Sequence, residues 1–129
     1  MELKDDGMCF ACGKKNDFGL KLDFKIQGQT SSTKFVFKKI HQGYSDIVHG
    51  GIITTILDEA MGRLLFDLGI LSLTVWLEVR FLHSVKVREE VFIKGEIIKQ
   101  TRKIIESQAE MRLKNGQIVA QAKAKFLRI

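Results

Sequence analysis

The sequence lacks the hydrophobic segments that membrane and secreted proteins carry. Its apolar stretches fall well short of the roughly 18 residues that a membrane-spanning helix needs. The first residues, MELKDDGMCF, include acidic side chains and contain no apolar core of the kind found in signal peptides. We therefore expect a cytoplasmic protein that does not act at a membrane.

Cysteine is also scarce, since the chain contains only Cys9 and Cys12. Their C-x-x-C spacing is one that zinc sites and redox pairs use. A zinc site would need further ligands, from His41 and His49 at an irregular spacing or from a second subunit, and a redox pair normally lies near a βαβ unit that this sequence does not predict. We therefore expect no metal, and we interpret residues 1–18 as a loop segment whose two reduced thiols lie over a cleft.

Aromatic residues are sparse in the part of the chain where the basic residues concentrate. Residues 84–129 carry eleven Lys and Arg against five Asp and Glu, whereas residues 1–30 and 31–83 each carry five of both kinds. Only Phe92 and Phe126 would be available in that basic region to stack on bases, and no nucleic-acid module is recognisable. The basic excess therefore suits either a phosphorylated small molecule or solvated strand faces, and we expect no nucleic-acid partner.

The 129 residues are expected to form one domain, 1–129, that contains several strands. Residues 19–26 and 34–40 alternate between apolar and polar side chains, which predicts two half-buried strands with a polar loop, 28–33, between them. Four further antiparallel strands are predicted over 73–82, 85–100, 105–113 and 118–126. The dipeptide Asn115-Gly116 predicts the hairpin turn between the last two.

One helix is predicted between the two groups of strands, from residue 52 to 68, with Gly69 as its C-terminal stop. Its apolar residues recur with the rhythm of a wide buried face, so the helix is too hydrophobic to lie on the surface. The row of Ala120, Ala122 and Ala124 in the last strand leaves room for it to lie close to the sheet. These elements together predict an α+β protein with a single central helix.

A carboxylate lies beside the apolar face of this helix, in a narrow stripe of otherwise small or short side chains. Such a stripe allows another surface to approach closely, so its carboxylate would be partly desolvated. The neighbouring Glu59 points about 100° away, where an ordinary surface ion pair with Arg63 is expected. Asp58 is therefore the better catalytic candidate of the two acids. The stripe consists of Gly51, Thr55, Asp58 and Gly62.

The order of elements and the segment HQGYSDIVHGGIITTILDEAMG resemble the hotdog-fold thioesterase superfamily, in its phenylacetic-acid-pathway-like and thioesterase-superfamily-member branches. The similarity covers nearly the whole chain and rests on the doublet Gly50-Gly51 after His49, the carboxylate nine residues beyond that histidine, and the upstream CFACGKKNDFGLKL. It implies a hotdog fold, in which a curved antiparallel sheet of five to six strands wraps around one long central helix. It also implies a homodimer, or a dimer of dimers, with sheets joined edge to edge and active sites at the interface.

The resemblance further implies an acyl-CoA thioesterase that needs no metal or organic cofactor. Asp58 would either deprotonate a water molecule or attack the thioester carbonyl directly, and both routes stay open. The amides of Gly50 and Gly51, with the helix dipole behind them, would stabilise the oxyanion. His49 would polarise the carbonyl or fix the turn. Thr74 matches the position of a hydroxyl residue that holds the attacking water in one branch.

Coenzyme A would give the basic C-terminal region a purpose, because the nucleotide carries three phosphate groups. The acyl group would lie in a tunnel beside the stripe that contains Thr55 and Gly62. Two alternatives remain open: a non-catalytic hotdog module that binds acyl-CoA or another acyl ligand, and a hotdog enoyl-CoA hydratase or dehydratase. The other substrate-binding candidates are Met61 and Trp76 for the acyl group and Arg80, Lys86 and Arg88 for the phosphates.

Overall fold

The computed structural model describes residues 1–129 and contains six β-strands and one long α-helix. The strands form a single antiparallel sheet in the order β1-β2-β4-β5-β6-β3, and the helix, α1, packs against one face of it. The predicted α+β hotdog architecture, a curved sheet around one central helix, is confirmed. The elements are β1 Lys25–Gln27, β2 Thr30–Val36, α1 Gly50–Asp67, β3 Ser72–Phe81, β4 Glu90–Gln100, β5 Ile104–Leu113 and β6 Ile118–Arg128.

Helix α1 begins and ends where local chemistry favours it. His49, with extended backbone angles, caps the N-terminus through its side chain. Just beyond the last turn, Gly69 adopts a φ of +79°, which is the left-handed conformation common after helix ends. No helix combines the length and the hydrophobicity that crossing a bilayer requires. The buried face of α1 consists of Ile53, Ile56, Leu57, Ala60, Met61, Leu64 and Leu65.

The helix lies unusually close to strand β4. A Cβ atom on Gly95 would be 2.7 Å from the carbonyl oxygen of Ala60, so only glycine fits at this point of the strand. Ser31 on the adjacent strand donates a hydrogen bond of 2.6 Å from its hydroxyl to the same carbonyl. The predicted row of alanines on β6 is likewise buried in the core. Small residues on several strands therefore let the sheet wrap closely around α1.

The strand predicted over residues 19–26 is wrong for most of its length, since β1 covers only the end of that segment. Lys21 has a φ of +53°, which interrupts an extended strand. The amides of Leu20 and Leu22 instead donate hydrogen bonds to the carbonyl oxygens of Phe10 and Ala11 in the N-terminal segment. Leu20 and Leu22 are nevertheless buried, so the alternation correctly marked the inward-facing side chains.

The next strand lies further towards the N-terminus than predicted. Strand β2, Thr30–Val36, includes most of the segment 28–33, which was expected to be a loop. The predicted strand 34–40 ends instead in a 3₁₀ turn at Lys39–His41. The physical reason is that Ser31 is buried through its hydrogen bond to α1. Strands β3, β5 and β6 are confirmed, whereas the strand predicted over 85–100 is wrong at its start: β4 begins only at Glu90, because Arg88, with a φ of +74°, interrupts an extended strand. Gly116, with a φ of +91°, lies in the turn between β5 and β6 as predicted.

Candidate active site

The structure brings Asp58 on α1 and Thr74 on β3 into direct contact. The hydroxyl Oγ1 of Thr74 donates a hydrogen bond of 2.9 Å to Oδ1 of Asp58. Thr74 points to the helix side of the sheet because it pairs in register with the buried Phe126 of β6. The two residues are sixteen positions apart, and the helix and the edge strand place them together.

The surroundings of Asp58 change its acidity in two opposing ways. Burial raises the pKa of the carboxyl group above its ordinary value, and the hydrogen bond from Thr74 partly offsets that effect by stabilising the ionised form. The side chain is nonetheless accessible in part. A partly desolvated carboxylate with a raised pKa is a stronger base than one in water, and this is the property that a general base requires.

The stripe around Asp58 is present, but its only hydroxyl is already engaged. Oγ1 of Thr55 donates a hydrogen bond of 2.9 Å to the carbonyl oxygen of Gly51, one turn earlier. Gly62, one turn after Asp58, lines a cleft of about 420 Å³ between the helix and the N-terminal segment. Thr55 therefore contributes a short, helix-bound side chain, and Gly62 borders the cleft on the side of Glu59.

The first turn of α1 leaves one amide without a partner. Nδ1 of His49 accepts a hydrogen bond of 2.8 Å from the amide of Gly51. The amides of Ile52 and Ile53 both donate to the carbonyl oxygen of His49, whereas the amide of Gly50 makes no hydrogen bond. Because its Nδ1 is an acceptor, the neutral His49 ring carries its proton on Nε2. The free donors at the helix start are therefore the Gly50 amide and Nε2 of His49, and the Gly51 amide is occupied.

These donors are far from Asp58 within one chain. Asp58 lies eight positions after Gly50, and at 1.5 Å per residue their Cα atoms lie about 12 Å apart along the helix. A hydrogen-bond donor and an attacking group must each come within about 3 Å of the same carbonyl group. One chain alone therefore does not bring the two groups to one substrate carbonyl.

Three predicted substrate-binding residues do not contribute to the accessible surface around Asp58. A bulge between Thr74 and Trp76 shifts the register of β3, so that Trp76 pairs with Lys125. Both side chains project from the outer face of the sheet, where Nζ of Lys125 lies 5.6 Å from the centroid of the indole ring. Arg80 lines a groove on that outer face. Met61 has no exposed surface and belongs to the core. Trp76 and Arg80 therefore lie on the opposite face of the sheet from Asp58. Met61, three residues after Asp58 on α1, offers no surface to a substrate.

The two remaining basic candidates lie in the connection between β3 and β4. Lys86 is exposed and forms an isolated β-bridge with Ile47, shortly before the start of α1. Arg88 is also exposed and has a φ of +74°, with its amide donating 2.7 Å to the carbonyl oxygen of Phe37. Lys86 is thus joined by backbone pairing to the loop that leads into the helix.

The surroundings of Glu59 were not predicted from the sequence. The expected ion pair between Glu59 and Arg63 is wrong, because Arg63 instead pairs with Asp5 at 2.8 Å and with Asp67 at 2.9 Å. The Glu59 carboxylate faces the two thiols of the N-terminal segment, with its Oε2 3.7 Å from Sγ of Cys9. The C-x-x-C spacing was the only signal of this cluster in the sequence. His41 is not part of it, since its ring packs against phenylalanines and caps the 3₁₀ turn.

Solved structures similar to this one include several thioesterases. A hypothetical thioesterase from Streptococcus pneumoniae, solved with coenzyme A, has 20% sequence identity and a TM-score of 0.80 over 84% of this chain and 85% of its own. A Streptococcus mutans protein bound to acetyl-CoA has 19% identity and a TM-score of 0.80, covering 84% and 88%. Thioesterase superfamily member 2 from zebra fish has 16% identity and a TM-score of 0.82, covering 95% and 93%.

Two further structures of the pneumococcal protein carry substitutions to alanine, one at an aspartate and one at a threonine sixteen positions later. No curated protein sequence matches this chain. The family model described as "Thioesterase superfamily" matches residues 46–120, which include α1, strands β3 to β5 and the first part of β6. This matched region contains His49, Gly50, Asp58 and Thr74, and the chain therefore belongs to the thioesterase superfamily.

Proposed function

We propose that this protein is an acyl-CoA thioesterase, which hydrolyses an acyl-CoA to a free acid and coenzyme A. The observation that carries the proposal is the hydrogen bond between Thr74 and the partly buried Asp58. The spacing of these two residues equals that of the aspartate and threonine substituted in the pneumococcal relative. The relatives that bind coenzyme A and acetyl-CoA support the substrate class.

The proposed reaction uses Asp58 in one of two ways. As a general base, it takes a proton from water while the water oxygen attacks the thioester carbonyl, and it returns the proton to the departing thiolate when the C–S bond breaks. As a nucleophile, its oxygen attacks the same carbon, the thiolate leaves, and water then hydrolyses the mixed anhydride. Both routes need an oxyanion site, and neither needs an organic cofactor.

The proposed oxyanion site is the start of α1, where the Gly50 amide and Nε2 of His49 are free to donate. Because the Cα atoms of Gly50 and Asp58 lie about 12 Å apart along the helix of one chain, the active site combines the helix start of one chain with Asp58 of another. A symmetric dimer then contains two such sites. The Gly51 amide, which donates to His49, keeps the imidazole in place and has an indirect role.

The edge of the sheet supports a dimer. Strand β3 is ten residues long and pairs on one side only, with β6. Its unpaired edge carries exposed apolar side chains, which a lone chain would present to water. We therefore propose a homodimer whose sheets join along β3, with a dimer of dimers as a further stage. The exposed apolar residues of this strand and of its end are Leu73, Val75, Trp76, Phe81 and Leu82.

The acyl-CoA phosphates are proposed to lie near Lys86, whose backbone is bridged to the loop before α1. This position is compatible with a thioester carbonyl at the helix start and a nucleotide outside the cleft. Arg88 lies two residues further along the same connection and is a second candidate. Arg80 and Trp76 are not included in the proposed site, because they project from the outer face of the sheet.

The proposal is tested by offering the purified protein a panel of acyl-CoAs of different chain length and measuring release of free thiol. Asp58→Asn should lower kcat by about 100- to 10,000-fold, the range typical of a lost general base. Asp23→Asn, which changes an exposed carboxylate just before β1 at the opposite edge of the sheet, should leave the rate unchanged and is the matched control. An Asp58→Asn protein with wild-type turnover would refute the assigned role.

Two other outcomes would replace the proposed function. Thermal stabilisation by acyl-CoAs without any thiol release would identify a binding module that lacks catalysis. Hydration of an enoyl-CoA with the thioester intact would identify a hydratase. Each measurement uses the same protein with a coenzyme A thioester, so a panel that includes an enoyl-CoA separates the three functions.

A further inference from the structure

Three metal-ligating side chains meet at a place that the proposed reaction does not use. Sγ of Cys9, Sγ of Cys12 and a carboxylate oxygen of Glu59 all lie within 4.8 Å of one another, and all three residues are partly buried. The two cysteines come from the N-terminal segment, whereas Glu59 comes from α1, fifty residues later. Neither cysteine forms a disulfide bond. The cluster is therefore a product of the tertiary fold.

The backbone around the cysteines forms a tight turn that directs both thiols to the same side. The amide of Gly13 donates a hydrogen bond of 2.8 Å to the carbonyl oxygen of Cys9 and closes the turn. A Cβ atom on Gly13 would lie 2.4 Å from the amide nitrogen of Cys9, so the residue after the second cysteine must be glycine. The sequence C-x-x-C-G thus specifies a loop that presents two sulfur ligands at the spacing zinc sites use.

The distances fit a tetrahedral ion. With a metal–sulfur bond of about 2.3 Å and a metal–oxygen bond of about 2.0 Å, neighbouring ligand atoms of a tetrahedral zinc site lie roughly 3.5 to 3.8 Å apart. Oε2 of Glu59 and Sγ of Cys9 are 3.7 Å apart. Cys9 and Glu59 therefore already have the spacing of two zinc ligands, and Cys12 Sγ lies within 4.8 Å of both ligand atoms.

The charges around the cluster favour a divalent cation. When both thiols are ionised, the cluster carries three negative charges, and the one cation in contact with it is Arg63, whose Nη1 is 3.8 Å from Sγ of Cys12. The Arg63 guanidinium is itself paired with Asp5 and Asp67.

We propose that Cys9, Cys12 and Glu59 bind one Zn²⁺ per chain, with a water molecule as the fourth ligand. Thiolate ligands select zinc over magnesium and calcium, which prefer oxygen. Binding replaces two S–H bonds with two zinc–sulfur bonds and releases two protons to solvent, with no change of oxidation state. The Arg63 guanidinium donates to the Cys12 sulfur and acts as an outer-shell partner that orients it.

The bound ion would attach the N-terminal segment to α1 one residue away from Asp58. The ion would lie in the cleft of about 420 Å³ that both cysteines, Glu59 and Gly62 line. Zinc therefore has a structural role in this proposal: it fixes one wall of the cleft, and Asp58 remains the group that acts on the thioester. Metal binding and hydrolysis can then be lost independently of each other.

The experiment measures zinc content and cobalt spectra of the full-length protein, reduced with a phosphine and freed of metal by a chelator. We expect one Zn²⁺ per chain after reconstitution and release of two protons. Co²⁺ in its place should give an intense near-ultraviolet thiolate-to-metal band together with the visible bands of a tetrahedral site. Cys9→Ser and Cys12→Ser should each weaken zinc binding by more than ~100-fold, because loss of an outer-shell partner alone costs 10- to 100-fold.

Matched variants separate the ligands from the rest of the chain. Glu59→Gln should keep the thiolate band and weaken binding, whereas Asp17→Asn, an exposed acid of the same segment, should bind zinc like the wild type. Asp58→Asn should also bind zinc normally. If a cysteine variant fails to fold, the wild-type protein still gives the answer, because added zinc should raise its melting temperature and the chelator should reverse the effect. Substoichiometric zinc in the reduced wild type, or full binding by the doubly substituted cysteine variant, would overturn the proposal.

Discussion

The carboxyl group of Asp58 lies where its ionised form is disfavoured, and this should affect stability as well as catalysis. Because its pKa is higher in the folded protein than in the unfolded chain, the folded state holds the proton more tightly. The free energy of unfolding therefore falls as the pH rises from the pKa that Asp58 has in the unfolded chain to the pKa that it has in the folded protein. Above both values the loss of stability is complete.

We accordingly expect Asp58→Asn to melt at a higher temperature than the wild type at neutral pH, although it has lost activity. The difference should shrink towards ~pH 4, where the carboxyl group is increasingly protonated in the folded and in the unfolded protein. Thermal melts across this pH range, monitored by circular dichroism, measure the effect. A less stable Asp58→Asn protein at neutral pH would show that the carboxylate has a structural role.

The hydroxyl of Thr74 acts in the opposite direction, since its hydrogen bond lowers the pKa of Asp58. Thr74→Val keeps the shape of the side chain and removes the donor. In a plot of kcat/KM against pH, the rise on the acidic side should then move to higher pH, because the Asp58 carboxyl group ionises less readily. At a fixed pH on this acidic side, kcat/KM should fall severalfold. Thr74→Ser retains the donor and should keep the wild-type limb. Identical pH profiles for the valine and serine variants would contradict this assignment.

At the scale of elements, the contact between α1 and β4 depends on a missing side chain. A Cβ atom on Gly95 would meet the Ala60 carbonyl and the Ser31 hydroxyl, both at 2.7 Å. We expect Gly95→Ala to reduce the free energy of unfolding by about 1–3 kcal/mol, as overpacking does elsewhere. Urea denaturation measures the change. Ser107→Ala on the neighbouring strand is the control, because it removes a buried hydroxyl without a hydrogen-bond partner and should not destabilise the protein.

The elements that the sequence predicted well are those whose signals are local. Alternation over about ten residues identified β3 to β6, and the helical repeat both located α1 and separated Asp58 from Glu59. Strand β1 was predicted too long because the positive φ of Lys21 and its neighbours' hydrogen bonds to the N-terminal segment depend on tertiary contacts. Strand β2 was misplaced because nothing local indicates that Ser31 is buried.

The candidate site likewise contains residues that local signals identify and residues that only tertiary contacts bring together. Asp58 and Thr74 could be selected from helix geometry and from the family resemblance together. The position of Trp76 could not, because alternation would place it on the same face as Thr74 and a single bulge reverses that. The contact between Glu59 and the cysteines spans fifty residues and involves an irregular loop, so no periodic pattern reveals it.

At the scale of the whole molecule, the separation of Gly50 from Asp58 predicts that active sites are shared between chains. Gly50→Pro removes the free amide proton and should preserve the helix, because proline is well tolerated at the first helical position and His49 already has the extended angles that precede a proline. Gly50→Pro and Asp58→Asn should each be inactive alone.

Mixing the two inactive chains by unfolding and refolding them together should restore activity to roughly a quarter of the wild-type rate. Half of the dimers are then mixed, and each mixed dimer contains one site with an intact helix start and an intact carboxylate. Refolding each variant separately before mixing is the control for contaminating activity. Absence of any recovery, in dimers shown to have exchanged subunits, would mean that each site lies within one chain.

The unpaired apolar edge of β3 also has a consequence for thermodynamics. If that edge is covered only by a second chain, folding and association are coupled, and the law of mass action applies to the stability of the protein. The melting temperature should then rise with protein concentration, and the urea midpoint should do the same. Val75→Lys, which places a charge on the exposed edge, should remove this dependence and leave a less stable monomer. For such a protein, a single free energy of unfolding has a meaning only when the concentration of chains is stated.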